Sequence, residues 1–221
     1  MTTDKTRAWF PRLKRLKSGE SGIAAVEFAL LAPMMIGVYL GLAELSMAMT
    51  VDRQVAHSAS VMGDMVTQVT EVDAEDMADV MAASMIVSRV RDRTKLVMHV
   101  ESFEMDDDGN ITSLGSAVYN SARKSDLETV DPATLGPELL SPNSGVVIAR
   151  VAYEHNALGL IRVDGSERAY LPTSITLRET FMLKPRRSFT VEIGEDAQEI
   201  TCTGSGKNTT CTDPGASNTS T

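Results

Sequence analysis

Residues 28–43 run for sixteen positions without a charge, with Glu27 standing at their head. The wider stretch 23–49 is apolar, small or neutral apart from Glu27, Glu44 and Ser46. A spanning helix needs about 20 such residues, so Glu27 and Glu44 fall near opposite edges of a bilayer. A core helix of a water-soluble domain keeps one polar stripe, and this run has none. A secretory signal has a shorter apolar region that ends, rather than begins, at small residues. The segment therefore reads as a transmembrane helix. Glu27 is its anomaly, because a carboxylate at the membrane costs on the order of 3 kcal/mol and needs a partner.

Charge orients the segment. Residues 1–22 carry six Lys/Arg against Asp4 and Glu20, a net +4, and the remainder carries 15 basic and 28 acidic residues, a net −13. Basic residues beside an apolar segment stay in the cytoplasm, which places the N-terminus inside and the chain beyond residue 50 outside. An acidic exterior excludes nucleic acid as a partner, since that needs a basic footprint. Cys202 and Cys211 fall in the exported part, where a disulfide suits the compartment; two free thiols on a flexible tail are the alternative.

Within the apolar run, Pro33 removes one helical hydrogen bond and predicts a kink or loosened turn. Gly37 and Gly41 form a G-x-x-x-G pair, a close-approach motif for helices in lipid.

The run Gly22-Ile23-Ala24-Ala25-Val26-Glu27-Phe28-Ala29-Leu30 with Pro33, followed by Gly41-Leu42-Ala43-Glu44-Leu45 and Ala56-His57-Ser58-Ala59-Ser60, resembles the TadE-like minor pilins (pseudopilins) of the tight-adherence, or Tad/Flp, pilus system. The resemblance implies cleavage by a prepilin peptidase after Gly22, which makes Ile23 the new N-terminus and Glu27, with Phe28 beside it, the element that sets assembly register. It implies the inner membrane, the peptidase, other pilins and pilus assembly proteins as partners, and no cofactor. Chemistry supplies a reason for the arrangement: a new α-amine at Ile23 is poorly solvated there. A carboxylate on a neighbouring subunit would pair with it, at roughly 4 kcal/mol for 4 Å and an effective dielectric near 20, less desolvation. Residues 23 and 27 are also one turn apart, so an internal contact competes. An uncleaved single-pass scaffold of the same machinery is the alternative function.

Beyond the membrane, Val51, Val55, Ser58, Met62, Met65 and Val69 recur at helical spacing and extend the helix as an amphipathic half. Asp73 resembles an N-cap for a second helix reaching about Arg91, and its methionines read as adaptable core. Lys95–Glu104, Val146–Tyr153 and Ser174–Leu183 read as strands, with Phe189–Ile193 a short last one. Asp106-Asp107-Asp108-Gly109-Asn110 reads as a hairpin turn; as an EF-hand it would place Gly115 where a bidentate Glu is required. Residues 115–145 read as a surface connection. The fold class is α+β: a long N-terminal pilin-like helix on a small antiparallel sheet, with a second helix. The segments are a basic leader (1–22), a transmembrane segment (23–49), a periplasmic domain (50–194) and a flexible Ser/Thr-rich tail (195–221). His57, His99 and His155 lack metal-ligand spacing, and no nucleophile elbow or phosphate loop occurs. The chain reads as a non-enzymatic component.

Overall fold

The computed structural model describes residues 21–156, 174–194, 199–204 and 208–212. The leader through residue 20 and the last nine positions of the expected tail lie outside the described residues. Among the described residues two α-helices, α1 (Ser21–Val66) and α2 (Ala74–Ser88), accompany eight strands: β1 (Glu71–Val72), β2 (Leu96–Met105), β3 (Ile111–Tyr119), β4 (Ser144–Asn156), β5 (Ser174–Leu183), β6 (Glu192–Ile193), β7 (Glu199–Thr203) and β8 (Thr210–Thr212). The chain divides into two compact units, Met1–Ser46 and Met47–Thr221, with the division inside α1.

In the first unit, α1 continues as helix through Pro33. It is long and apolar enough to cross a membrane, and 0% of its most apolar window is buried.

In the second unit the rest of α1 becomes one-sided. Val55, Ser58, Ala59, Met62 and Val66 are fully buried, following the three-and-four spacing of the stripe. They meet Met77, Val80, Met81 and Met85 of α2 and the sheet residues Met98, Val100, Val147, Ala149 and Val151 in one core. Ser58 removes its polarity from that core by donating to the Ser84 carbonyl at 2.9 Å. Asp73 caps α2 by accepting from the Asp76 amide at 2.8 Å. The helix ends at Ser88, short of the expected Arg91, because Arg89 adopts a left-handed conformation (φ 49°) that closes helices.

The main sheet has the order β5-β4-β2-β3-β7-β8. β5, β4, β2 and β3 each run antiparallel to their neighbours, and β7 joins β3 in parallel. A separate parallel pair joins β1 to β6. The sheet is therefore mixed but mostly antiparallel. The β2–β3 turn closes on itself: Asp106 accepts from both the backbone and the side-chain amide of Asn110, at 2.8 and 2.9 Å. Those bonds, the side-chain one first, hold the Asp106 carboxyl below its usual range. At the bulge between Ser102 and Phe103, Gly115 adopts φ 120°, and a Cβ there would stand 2.1 Å from the Ile193 carbonyl oxygen.

The expected last strand, Phe189–Ile193, is only Glu192–Ile193, and two larger expectations also change. The stretch 115–145 is a second layer rather than a bare connection: β3 runs to Tyr119, and Leu127 and Leu140 are buried against the sheet face opposite the helices. Covered on both faces, β4 is a near-continuous apolar run. The expected tail is also partly ordered. β7 and β8 form a hairpin in which Cys202 and Cys211 are disulfide-bonded, and Ile200 is buried in the main core. Thr-rich alternation has good strand propensity, which the polar composition conceals.

Candidate functional site

The N-terminal site residues all lie on α1. Gly22 and Ile23 occupy its first turn, with Ile23 exposed. Glu27 follows one turn later, also exposed, with exposed Phe28 beside it. On ideal helical steps of about 100°, Ile23, Glu27, Gly37 and Gly41 fall within a sector of about 80°. The two glycines open that face: nothing lies within 4 Å of where a Cβ would stand on either. Pro33 sits off this sector and its amide cannot complete the ladder.

This arrangement can do two things chemically. The Gly22–Ile23 peptide bond lies in the first described turn of α1, where glycine weakens the helix. An amine freed at Ile23 would sit one turn from the Glu27 carboxylate, which could pair within the chain or with a second chain docked on the small-residue face. Cys202 and Cys211 belong to a different place, the β7–β8 hairpin of the second unit, and have no part in this set.

The domain also contains a polar cluster that the motif search passed over. Arg150 lies within the apolar run of β4 yet is 6% exposed. Its Nη1 donates to the Glu128 carbonyl at 3.0 Å and its Nη2 to His99 Nδ1 at 2.7 Å, with Glu101 as its ion-pair partner. Arginine can only donate, so His99 Nδ1 must accept and the imidazole is neutral with its proton on Nε2. Burial, reinforced by the Arg150 charge, pushes the His99 pKa down to about 3. The signal was available: a lone Arg in a buried strand requires a partner. The cluster ties the 121–130 segment to the sheet, together with the Arg123 ion pairs to Asp126 and Glu154 at 2.7 and 2.6 Å. Beside it lies an open pocket of about 380 Å³ lined by Glu101, Lys124, Glu128 and Arg150 among others. Arg150 spends both of its terminal nitrogens on structural bonds. Among the described residues no three His, Cys, Asp or Glu side chains are placed to hold a metal ion.

In comparison with known families, residues 22–61 fit the family described as TadE-like protein. The matched window opens at Gly22, takes in Glu27 and the apolar half of α1, and ends inside its amphipathic half. No curated protein and no solved structure gives a significant match. The chain thus carries a TadE-like segment on a helix of membrane-spanning length.

Proposed function

We propose that this chain is a minor pilin of the Tad/Flp pilus, cut after Gly22 by a prepilin peptidase so that the mature protein begins at Ile23. The leader (1–22) is cytoplasmic, residues 23–49 cross the inner membrane, and the domain from residue 50 onward is periplasmic. Its work is non-enzymatic: it helps initiate, prime or cap an adhesive filament through contacts with other pilins and assembly proteins.

The observation that carries this reading is the position of Glu27. The TadE-like window begins at Gly22, and Glu27 stands one helical turn inside the cut that would create a positive charge at Ile23. An unneutralised carboxylate there is expensive. Pairing with the amine of a neighbouring subunit removes that expense and fixes the axial register of one helix against the next. The open Gly37–Gly41 face allows the close approach.

Substitution of Glu27 tests the role. Glu27→Gln should leave the protein inserted in the membrane and its domain folded, while it no longer co-purifies with the other pilus components. Unchanged co-purification and normal piliation would remove the register function. The alternative, an uncleaved scaffold of the same machinery, is favoured by one feature: Glu20 and Ser21 separate the last basic residue, Lys17, from the proposed cut. Gly22→Ala distinguishes the two, since it should hinder processing of a pilin and have no effect on a scaffold.

A further inference from the structure

The segment Lys184-Pro185-Arg186-Arg187-Ser188-Phe189 places three cations and an aromatic within six residues of a domain that is otherwise strongly acidic. Its backbone is fixed. The Arg186 amide donates to the Thr67 carbonyl at 2.9 Å, the Gly145 amide donates to the Phe189 carbonyl at 2.7 Å, and the Glu192 amide donates to the Thr70 carbonyl at 3.1 Å. The side chains face outward: Lys184, Arg186 and Arg187 are exposed, and Phe189 is 82% exposed, more than any other large apolar side chain described. Arg186 pairs with Asp64 at 2.5 Å. Among the described residues Lys184 and Arg187 have no ion-pair partner. A rigid loop that presents Arg and an aromatic has the composition of an interface hot spot.

The matching surface lies next to it on the same domain. Because β6 pairs in parallel with β1 (Glu71 opposite Glu192), the chain leaving the basic loop runs directly along the start of an acidic surface. Glu71, Asp73, Glu75, Asp76 and Asp79 are all exposed, and no Lys or Arg occurs between Arg53 and Arg89. Two adjoining patches of opposite sign on one rigid domain are self-complementary under a twofold axis, with the loop of each copy on the acidic surface of the other.

We infer that the loop 184–189 is the docking surface for a second copy of this chain, seated on that copy's acidic surface at 71–79. The inference goes beyond the pilin reading and holds whether or not the Gly22–Ile23 bond is cut.

The test uses the full chain in membranes. A benzophenone-bearing amino acid replaces Phe189, and irradiation should give a homodimer whose cross-link maps to residues 71–79. Lys184→Glu/Arg187→Glu and Glu75→Arg/Asp79→Arg should each reduce the yield about tenfold or more by placing like charges in contact. Co-expression of these two variants should restore a mixed dimer, because both contacts between them are again of opposite sign. This restoration separates lost complementarity from lost folding. Cross-links to lipid, to another protein or to a different part of the second copy would overturn the inference, as would failure of the mixed pair to form.

Discussion

Along α1, Phe28, Leu30 and Met34 stand 70%, 75% and 69% exposed, whereas Val55, Ala59, Met62 and Val66 of the same helix are 0% exposed. Its glycines divide likewise. A Cβ on Gly37 or Gly41 would meet nothing within 4 Å, while one on Gly63 would stand 2.6 Å from Leu183 Cδ1 and 3.2 Å from Ala149 Cβ. A helix that is apolar on every side cannot be satisfied by one sheet face and needs lipid or other helices around it. A helix with one apolar stripe is satisfied by its own domain. The two halves of α1 thus differ in kind: the first is apolar all round and lies open, while the second is packed into this chain's own core.

Substitutions of equal size should therefore have unequal effects. Met62→Ala leaves a cavity between α1 and the sheet and should lower domain stability by about 2–5 kcal/mol, read as the thermal midpoint of the detergent-solubilised chain. Met34→Ala should leave that midpoint unmoved; equal losses would break the comparison. Replacing Cys202 and Cys211 by Ser releases a short closed loop and should lower stability by about 2–3 kcal/mol, with the Glu27 phenotype unaffected. An unchanged midpoint would mean that the hairpin stands without its bond.

The pH response should also belong to the domain alone. The folded pKa of His99 lies near 3, below its ordinary 6.5, so its contribution is complete above pH 6.5. As pH falls, the unfolded imidazole takes up a proton that the folded one refuses, and stability is lost. Between pH 6.5 and 5 the loss should be about 2 kcal/mol. His99→Gln should flatten that slope, and a slope that survives the substitution would assign it to other groups. The smallest effect concerns glycine. Gly63→Val should lower domain stability by about 1–2 kcal/mol, overpacking against Leu183 being partly relieved because that side chain can move. Gly41→Ala should be neutral for the domain and act only on helix association.

Legibility in the sequence followed how local each signal was. The apolar run, the stripe from Val51 to Met65, the Asp73 cap and the Asp106–Asn110 turn are encoded within a few residues and stand in the structure, although the helix stops at Val66 and leaves Val69 in the turn beyond it. The strand Ser174–Leu183 has the same ends in both. What was not legible depends on distant partners. The parallel β1–β6 and β3–β7 pairings join residues more than 80 positions apart, and no local pattern announces them. The layer formed by Leu127 and Leu140 looked like a loop because its few apolar residues are scattered among turn formers. The β7–β8 hairpin was concealed by Ser, Thr and Gly. Arg150 was visible as an oddity in a buried strand, but its partners His99 and Glu101 lie on another strand. For the N-terminal site, residue spacing supplied the chemistry and helix geometry supplied the shared face of Ile23, Glu27, Gly37 and Gly41.

The pilin reading rests on a new N-terminus opposite an acidic side chain, and intact-mass measurement of the protein extracted from pilus-expressing cells addresses it directly. The account requires a chain that begins at Ile23, with the full-length form accumulating when the prepilin peptidase is removed. A chain that keeps Met1–Gly22 in cells making normal pili would contradict it.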